Sequence, residues 1–301
     1  MDLRELLSRN LSCPIEENVS LAKYCTFGTG GKAKYLISPY SALDVVRIMN
    51  AREQYHFPLF FLGNGSNVLL SDIEGVVILS SGFNYADYYE CKEKNKVIIE
   101  VGSGHLLKSV VKESIRRGYK GFEFAVGIPG TVGGAVVGNA GAQGIDVSRL
   151  LLWVECVTTD GAVIRMDSND IVSGYRYSSL SESGCFITKC AFEAASGDVR
   201  LIKEKCLEYW SKRSHQPYAY KNAGCIFKNT SNYSAGRLLD ECGCKGKRIG
   251  DAEISSLHAN FCVNLGNARV ADIKKLIYEC RDIVYEKKGI LLDFEVKIFG
   301  F

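Results

Sequence analysis

The chain has 301 residues, 47% of them hydrophobic, and a formal net charge of only +3. It is long enough to bury a substantial core and to form about two or three domains. Its basic residues are dispersed, which argues against nucleic-acid binding. No apolar run reaches the roughly 20 residues that a membrane helix needs, and the N-terminus has the pattern of a short amphipathic helix rather than a signal peptide. We therefore expect a cytoplasmic protein with no membrane insertion and no obligate protein partner.

Helix and strand signals alternate through the first two thirds of the chain, with no internal repeat. After the N-terminal helix, Ser41 begins a predicted helix and Pro58 opens the strand "PLFFLG". Strands in "GVVILSS" and "KVIIEVGS" precede a helix that begins near His105. The stretch "LLLWVECVTTDGAVIRM" predicts a hairpin that turns at Asp160 and Gly161, and "CFITKCAFEA" predicts the next strand.

The pattern changes near residue 197, which predicts a domain boundary there. A long helix is expected from Asp198 to about His215, followed by a loop that holds Cys225 and a short helix near Leu238. The strand "HANFCVNL" and the helix "VADIKKLIYECRDIVYEKKG" come next. The chain then ends in the predicted strand "ILLDFEVKIF".

The twelve cysteines are scattered and lack the spacing of a disulfide scaffold or of a zinc site. With only four histidines, widely separated, we expect reduced thiols and no metal site. Cys225, in "NAGCIFKN", could be a nucleophile, half of a disulfide, a metal ligand or a packed core residue. Taken alone it is more often packing, since free cysteine is among the most buried residue types.

Three glycine clusters could bind phosphate. "GTGGKA", from Gly28 to Ala33, matches the dinucleotide pattern with Glu53 downstream, but it leads into a strand instead of opening a helix, which argues against that motif. The clusters in "FLGNGSNVLLSD" and "VGIPGTVGGAVVGNAGA" each place several backbone N–H groups in a turn and together suit a pyrophosphate. The alternative is that these glycines only make tight turns.

These segments, together with "GYRYSSL", "AGRLLDECGCKGKRIGDAEISSLHANFCVN" and "LLDFEVKIFG", resemble the UDP-N-acetylenolpyruvoylglucosamine reductase family from about residue 20 to the C-terminus. The resemblance implies an α+β flavoprotein with an FAD-binding fold of the PCMH, or vanillyl-alcohol-oxidase-like, type. Residues 1–80 and 81–197 would be the two FAD-binding subdomains, and residues 198–301 an α+β substrate-binding domain.

The resemblance further implies that NADPH reduces FAD, and that hydride then passes from flavin N5 to the enolpyruvyl group of UDP-N-acetylglucosamine enolpyruvate, giving UDP-N-acetylmuramate for peptidoglycan. Substrate contacts are assigned to Tyr175, Lys228 and Asn229. The FAD contacts that it implies are Gly63, Asn64, Gly65, Ser66, Asn67, Gly127, Ile128, Pro129, Gly130, Thr131, Gly133, Gly134, Asn139, Ala140 and Gly141.

Three side chains match the catalytic positions of the family. Arg176 would bind the substrate carboxylate with its planar guanidinium, where negative charge develops. Glu295, selected over Asp293 by the terminal motif, would help to stabilise and protonate the intermediate. Cys225 stands where most members carry serine, and a thiol, with a reference pKa of about 8.5, is a competent proton donor.

The chain looks like the compact type of the family, because only about eight residues separate Arg176 from "CFITKC". His258, which has neither a metal-ligand partner nor a nearby nucleophile motif, is predicted to be structural. Two alternatives remain open. The chain could be another flavin oxidoreductase of this fold, acting on an alcohol or a lactone, or a non-catalytic protein that binds FAD or a UDP-sugar.

Overall fold

The computed structural model describes residues 3–91 and 95–300 and has the mixed α+β composition that the sequence predicts. Its helices are α1 (Leu3–Asn10), α2 (Ala42–Tyr55), α3 (Leu107–Arg117), α4 (Val132–Val137), α5 (Val199–Ser211), α6 (Ala235–Glu241) and α7 (Val270–Lys288). Its strands are β1 (Ile15–Ser20), β2 (Lys32–Ile37), β3 (Leu59–Leu62), β4 (Val68–Leu70), β5 (Ile73–Leu79), β6 (Ala86–Cys91), β7 (Lys96–Gly102), β8 (Tyr119–Lys120), β9 (Gly141–Ala142), β10 (Ile145–Asp146), β11 (Leu151–Val157), β12 (Val163–Asp167), β13 (Ser173–Gly174), β14 (Tyr177–Ser178), β15 (Phe186–Ser196), β16 (Arg248–Ile249), β17 (Ala252–Ile254), β18 (Cys262–Asn264) and β19 (Lys297–Phe299).

Elements with strong local signals lie where the sequence predicts them. The Ser41 side chain accepts a hydrogen bond from the backbone N–H of Asp44 and so caps α2, and Asp198 caps α5 in the same way. The predicted hairpin is the antiparallel pair β11 and β12, whose turn contains Gly161 at a φ of 80°. Glycine reaches this left-handed conformation at little cost, so the turn is determined locally.

The predicted C-terminal strand is longer than the strand that forms. Only Lys297–Phe299 pairs as a strand, in parallel with β4. Upstream, the N–H groups of Glu295 and Val296 both point at the carbonyl of Ile226, at 2.8 and 3.3 Å, so a regular ladder cannot continue through this point. The predicted strand "HANFCVNL" is likewise confined to β18.

The chain divides into two compact units, each built from several segments. Unit 1 comprises residues 1–17, 35–64 and 75–213, and unit 2 comprises residues 18–34, 65–74 and 214–301. The predicted three-part division at residues 80 and 197 stays a prediction.

Unit 1 is built on two sheets. One has the strand order β1-β2-β5-β3, and its residues within this unit are 15–17, 35–37, 59–62 and 75–79; α1 and α2 share its core. The other has the order β12-β11-β15-β7-β6, with β8 beside β15, and its core includes residues from α3, α4 and α5. Each large apolar side chain buried here contributes roughly 1.5–3 kcal/mol.

Unit 2 has a core of its own. The short antiparallel sheet β16-β17-β18 contributes Ala252, Ile254 and Cys262 to this core, and α6 and α7 contribute further apolar residues. Phe227 is fully buried in the same cluster, and Phe294 packs against it. The segments that carry the predicted catalytic residues Cys225 and Glu295 are therefore tied to this core.

Candidate active site

The two predicted FAD loops meet within unit 1 at Gly63 and Thr131. A Cβ atom placed on Gly63 would lie 2.5 Å from Thr131 Oγ1, closer than real Cβ contacts, so only glycine permits this approach. Thr131 itself caps α4 by accepting a hydrogen bond from Gly134 N–H at 3.3 Å. Further along this predicted FAD loop, Gly65, Ser66 and Asn67 belong to unit 2.

Two buried serine hydroxyls near the glycine turns have no hydrogen-bond partner among the described residues. The carbonyl of Ser103 accepts the Gly133 N–H at 2.8 Å, while the buried Ser103 hydroxyl has no hydrogen-bond partner among the described residues. The buried Ser80 hydroxyl also lacks a hydrogen-bond partner among these residues. The Ser80 carbonyl lies where a side chain on Gly104 would be. Unsatisfied buried hydroxyls are uncommon in folded proteins. A glycine cradle that contains them fits a cofactor with polar edges such as FAD.

Asn139 and Gly141 of the predicted FAD loop hold the hairpin that carries Arg176. The buried Asn139 amide donates to the carbonyl of Gly174 at 2.8 Å and accepts the N–H of Ser148 at 3.2 Å. The Arg176 guanidinium donates to the carbonyl of Gly141 at 3.0 Å. The Asn139 side chain therefore connects the loop to the β13–β14 hairpin.

Arg176 occupies a strained position at the tip of this hairpin. Its φ is 55°, in the left-handed region that side-chain-bearing residues seldom adopt. Strands β13 and β14 pair on either side of it, so Tyr175 and Arg176 form the two-residue turn. Tyr175 is 54% exposed, and the guanidinium lies 5.2 Å from its ring centroid. Glycine would adopt this conformation more easily than arginine. Backbone strain of this kind concentrates at functional sites.

Cys225 lies in unit 2 on a segment fixed by backbone pairing. It pairs with Phe261 in an isolated antiparallel bridge, and the next residue, Ile226, donates to the carbonyl of Asn260 at 2.8 Å. Gly224 precedes it at a φ of 77°. Ile226 and Phe227 are buried, whereas Cys225 is half-buried and is not part of a disulfide. The packed-core interpretation therefore fits its neighbours better than it fits Cys225.

Glu295 is hydrogen-bonded to the segment that follows Cys225. Its N–H donates to the carbonyl of Ile226 at 2.8 Å, and its carbonyl accepts the side-chain amide of Asn67 at 3.1 Å. Lys228 N–H donates to the carbonyl of Asp293 at 2.8 Å. The structure thus gathers Glu295, Lys228 and Asn67 around one short stretch of unit 2, with Glu295 half-buried and Asp293 exposed.

Asn260 holds the segment that follows Cys225, and the sequence does not reveal this role. Its side-chain amide accepts the Phe227 N–H at 2.9 Å and donates to the Phe227 carbonyl at 2.8 Å, so it replaces a neighbouring strand. An asparagine between apolar residues gives only the weak signal of a buried polar group. Its neighbour His258 accepts the Asn260 N–H at 3.2 Å and packs edge-on against Phe261. Burial lowers the pKa of His258, which suits a neutral structural residue.

The remaining glycine cluster has a packing role. The stem of Lys221 lies against Gly28, and the backbone of Ser71 lies where a Gly31 side chain would be. The chain then continues directly into β2 at Lys32. The strand that follows confirms that this cluster is not a dinucleotide motif.

Among residues 3–91 and 95–300, no group of three or more histidine, cysteine, aspartate or glutamate residues is placed to hold a metal ion. None of their helices is long and apolar enough to cross a membrane.

Two segments of the chain match known protein families. Residues 33–167 match the family described as "FAD binding domain". Residues 216–299 match the one described as "UDP-N-acetylenolpyruvoylglucosamine reductase, C-terminal domain". An FAD-binding fold joined to a reductase domain defines an FAD-dependent oxidoreductase.

The relatives make the class specific. The UDP-N-acetylenolpyruvoylglucosamine reductase of Prochlorococcus marinus is 36% identical, over 96% of this chain and 99% of the relative. The one of Caldicellulosiruptor saccharolyticus is 37% identical, over 93% of this chain and 90% of the relative. The crystal structure of the enzyme from Thermus caldophilus superposes with a TM-score of 0.82 at 35% identity, over 96% of this chain and 100% of the other. The chain belongs to the UDP-N-acetylenolpyruvoylglucosamine reductase family, which confirms the predicted PCMH-type FAD fold.

Proposed function

We propose that this enzyme uses NADPH to reduce UDP-N-acetylglucosamine enolpyruvate to UDP-N-acetylmuramate in the cytoplasm, for peptidoglycan synthesis. Membership in the family supports the reaction class. The observation that carries the assignment in this chain is the hydrogen bond of 2.8 Å from Glu295 N–H to the Ile226 carbonyl, because it ties an acidic residue to the segment of the half-buried thiol Cys225.

The glycine loops around Gly63 and Thr131 would hold FAD, with further contacts from Gly65, Ser66 and Asn67. The fit of glycine backbone and unsatisfied serine hydroxyls to a polar cofactor supports this assignment. FAD, when bound, supplies the hydride that is added to the enolpyruvyl double bond, after receiving it from NADPH.

Addition of hydride to the terminal carbon pushes negative charge into the substrate carboxylate. Arg176 binds that carboxylate, since its planar guanidinium offers paired donors and a permanent positive charge. Its turn is held by hydrogen bonds to Asn139 and Gly141, so less reorganisation is needed as the charge develops.

The adjacent carbon then receives a proton, which completes the net addition of one hydride and one proton. Cys225 donates this proton from its sulfur, and the resulting thiolate is reprotonated from solvent. Glu295 stabilises the enolic form of the intermediate from the neighbouring segment. Lys228, Asn229 and Tyr175 contact the rest of the nucleotide-sugar, with Lys228 suited to the diphosphate.

The proposal is tested with purified protein in two measurements. The first is flavin absorbance, and a colourless protein that does not take up FAD would contradict a flavoenzyme of any kind. The second is NADPH oxidation with and without UDP-N-acetylglucosamine enolpyruvate, which we expect to depend on that substrate. If NADPH reduces the flavin but the substrate does not reoxidise it, the enzyme acts on another compound, such as an alcohol or a lactone.

A pair of matched variants separates the role of Glu295 from general acidity on the same segment. Glu295→Gln removes the half-buried carboxylate, and Asp293→Asn removes the exposed one two residues away. We expect Glu295→Gln to lower substrate-dependent turnover by at least about 100-fold, the scale of general acid–base catalysis. Asp293→Asn should stay within about twofold of the wild type, as surface substitutions generally do.

A further inference from the structure

The end of helix α5 covers the turn at Gly127 within unit 1. A Cβ atom placed on Gly127 would lie 2.8 Å from Cζ3 and 3.0 Å from Cε3 of the Trp210 indole. The Arg213 guanidinium donates to the Gly127 carbonyl at 3.3 Å. Gly127 has a φ of 73°, so this turn is both left-handed and enclosed.

Trp210 is not needed to anchor α5. The adjacent Tyr209 is buried in the main core of unit 1, whereas Trp210 is 42% exposed. Leu207, one turn earlier, is 67% exposed. Trp210 is therefore less buried than Tyr209 and lies directly against the turn at Gly127.

Backbone hydrogen bonds restrain the residues on either side of Gly127, and Val126 N–H donates to the carbonyl of Glu123 at 3.3 Å. Ile128 N–H donates to the carbonyl of Ala125 at 3.0 Å, and the Gly130 carbonyl accepts from Leu107 N–H at 3.0 Å. The Gly127 carbonyl itself accepts its hydrogen bond from Arg213, just after the end of α5. A backbone that must present its N–H groups to a ligand binds more tightly when it is held in that conformation beforehand.

We propose that Trp210 and Arg213 are positioning residues for FAD, which hold the Gly127 turn in the conformation that binds the cofactor. The proposal rests on the assignment of Gly127 as an FAD contact in the proposed function. Trp210 blocks one side of the turn by van der Waals contact, and Arg213 fixes the direction of its carbonyl. Neither side chain takes part in the chemistry.

The main test measures the dissociation constant of FAD for flavin-stripped protein by titration. We expect Trp210→Ala to raise it by about tenfold, which corresponds to about 1.4 kcal/mol. Trp210→Phe retains a ring over the turn and should stay within about threefold of the wild type. Leu207→Ala, on the same helix and more exposed, is the matched control and should leave the constant unchanged.

A second test uses the close approach itself. Gly127→Ala should weaken FAD binding, because its methyl group strikes the indole and the left-handed φ is strained. In Gly127→Ala/Trp210→Ala the collision is gone, so the double variant should bind FAD better than the sum of the two single losses predicts. Additive losses would contradict the contact between the indole and the turn.

Flavin circular dichroism in the visible region and thermal unfolding of the flavin-free protein distinguish positioning from general stability. We expect Trp210→Ala to change the flavin band while shifting the melting temperature of the flavin-free protein no more than Leu207→Ala does. If Trp210→Ala and Leu207→Ala give equal FAD dissociation constants, the proposal is wrong. If Trp210→Ala does not fold, Trp210→Leu and Arg213→Lys decide on the same criterion. Wild-type protein that binds no FAD would instead contradict the proposed function.

Discussion

The side-chain amide of Asn260 makes both backbone hydrogen bonds of Phe227, accepting its N–H at 2.9 Å and donating to its carbonyl at 2.8 Å. Both residues are buried, so neither bond can be replaced by water. Phe227 also stacks on Phe294, with ring centroids 5.0 Å apart. Asn260 therefore fixes the segment that follows Cys225. Through Phe227, that segment packs against the one that carries Glu295.

Asn260→Ala should lower both stability and turnover. The substitution leaves the Phe227 N–H and carbonyl buried without partners, which costs roughly 2–4 kcal/mol. Chemical denaturation measures this loss, and Asn232→Ala, in an exposed loop, is the control. A variant as stable and active as the wild type would show that Asn260 does not position the segment.

At position 176 we expect glycine to favour stability and arginine to be required for turnover. At a φ of 55°, Arg176→Gly should be more stable than Arg176→Ala by about 1 kcal/mol, since glycine adopts the left-handed region freely. Both variants should lose substrate-dependent turnover while still binding FAD. Arg176→Lys keeps the charge without the planar fork and should retain only part of the activity. Equal stability of the glycine and alanine variants would contradict the inferred strain.

Cys225 should be the thiol whose alkylation inactivates the enzyme. Nine of the twelve cysteines are buried, leaving Cys91 exposed and Cys185 and Cys225 half-buried. We expect iodoacetamide to abolish substrate-dependent turnover in the wild type and in Cys91→Ser and Cys185→Ser, but not to inactivate Cys225→Ser further. Cys225→Ser should retain some turnover, while Cys225→Ala should lose protonation of the intermediate yet still be reduced by NADPH. Loss of both half-reactions in Cys225→Ala would indicate a packing role instead.

Asp44 should contribute a pH-dependent part of the stability of unit 1. Burial alone raises the pKa of this carboxyl, but hydrogen bonds from Ser12 N–H and from the Ser12 and Ser41 hydroxyls, at 2.9–3.1 Å, outweigh it and lower the pKa. A lowered folded pKa means that the contribution is complete above the unfolded pKa of about 3.9 and disappears as the pH falls through the folded value.

Asp44→Asn tests this dependence. At pH 7 it should lower the free energy of unfolding by about 2 kcal/mol, the scale of hydrogen bonds to a buried charge. The difference from the wild type should shrink as the pH falls below about 4, because protons bind first to the unfolded carboxyl and only at lower pH to the native one. Glu53→Gln, an exposed acid on the same helix, is the control. A difference that is constant from pH 7 to pH 3 would exclude the charge as its source.

Sequence patterns predicted the elements whose causes lie within a few residues. Ser41 caps α2 through a bond to Asp44, three positions away, and the β11–β12 hairpin turns at Gly161. The terminal strand was predicted too long, because its alternation of apolar residues describes which side chains are buried, whereas strand pairing depends on a partner. That partner, β4, lies more than two hundred residues earlier.

The amino-acid sequence by itself determined the α+β class, the helix caps and turns, and the family, through motifs that include Arg176, Cys225 and Glu295. Only the tertiary structure decided which distant groups hold the segments of the proposed site. Asn260 bonds Phe227, Asn139 bonds Gly174, and Trp210 lies against Gly127. Caps and turns are short-range and leave a local pattern in the chain. A hydrogen bond or a ring contact between distant residues leaves none, because it exists only once the folded core has brought its two partners together.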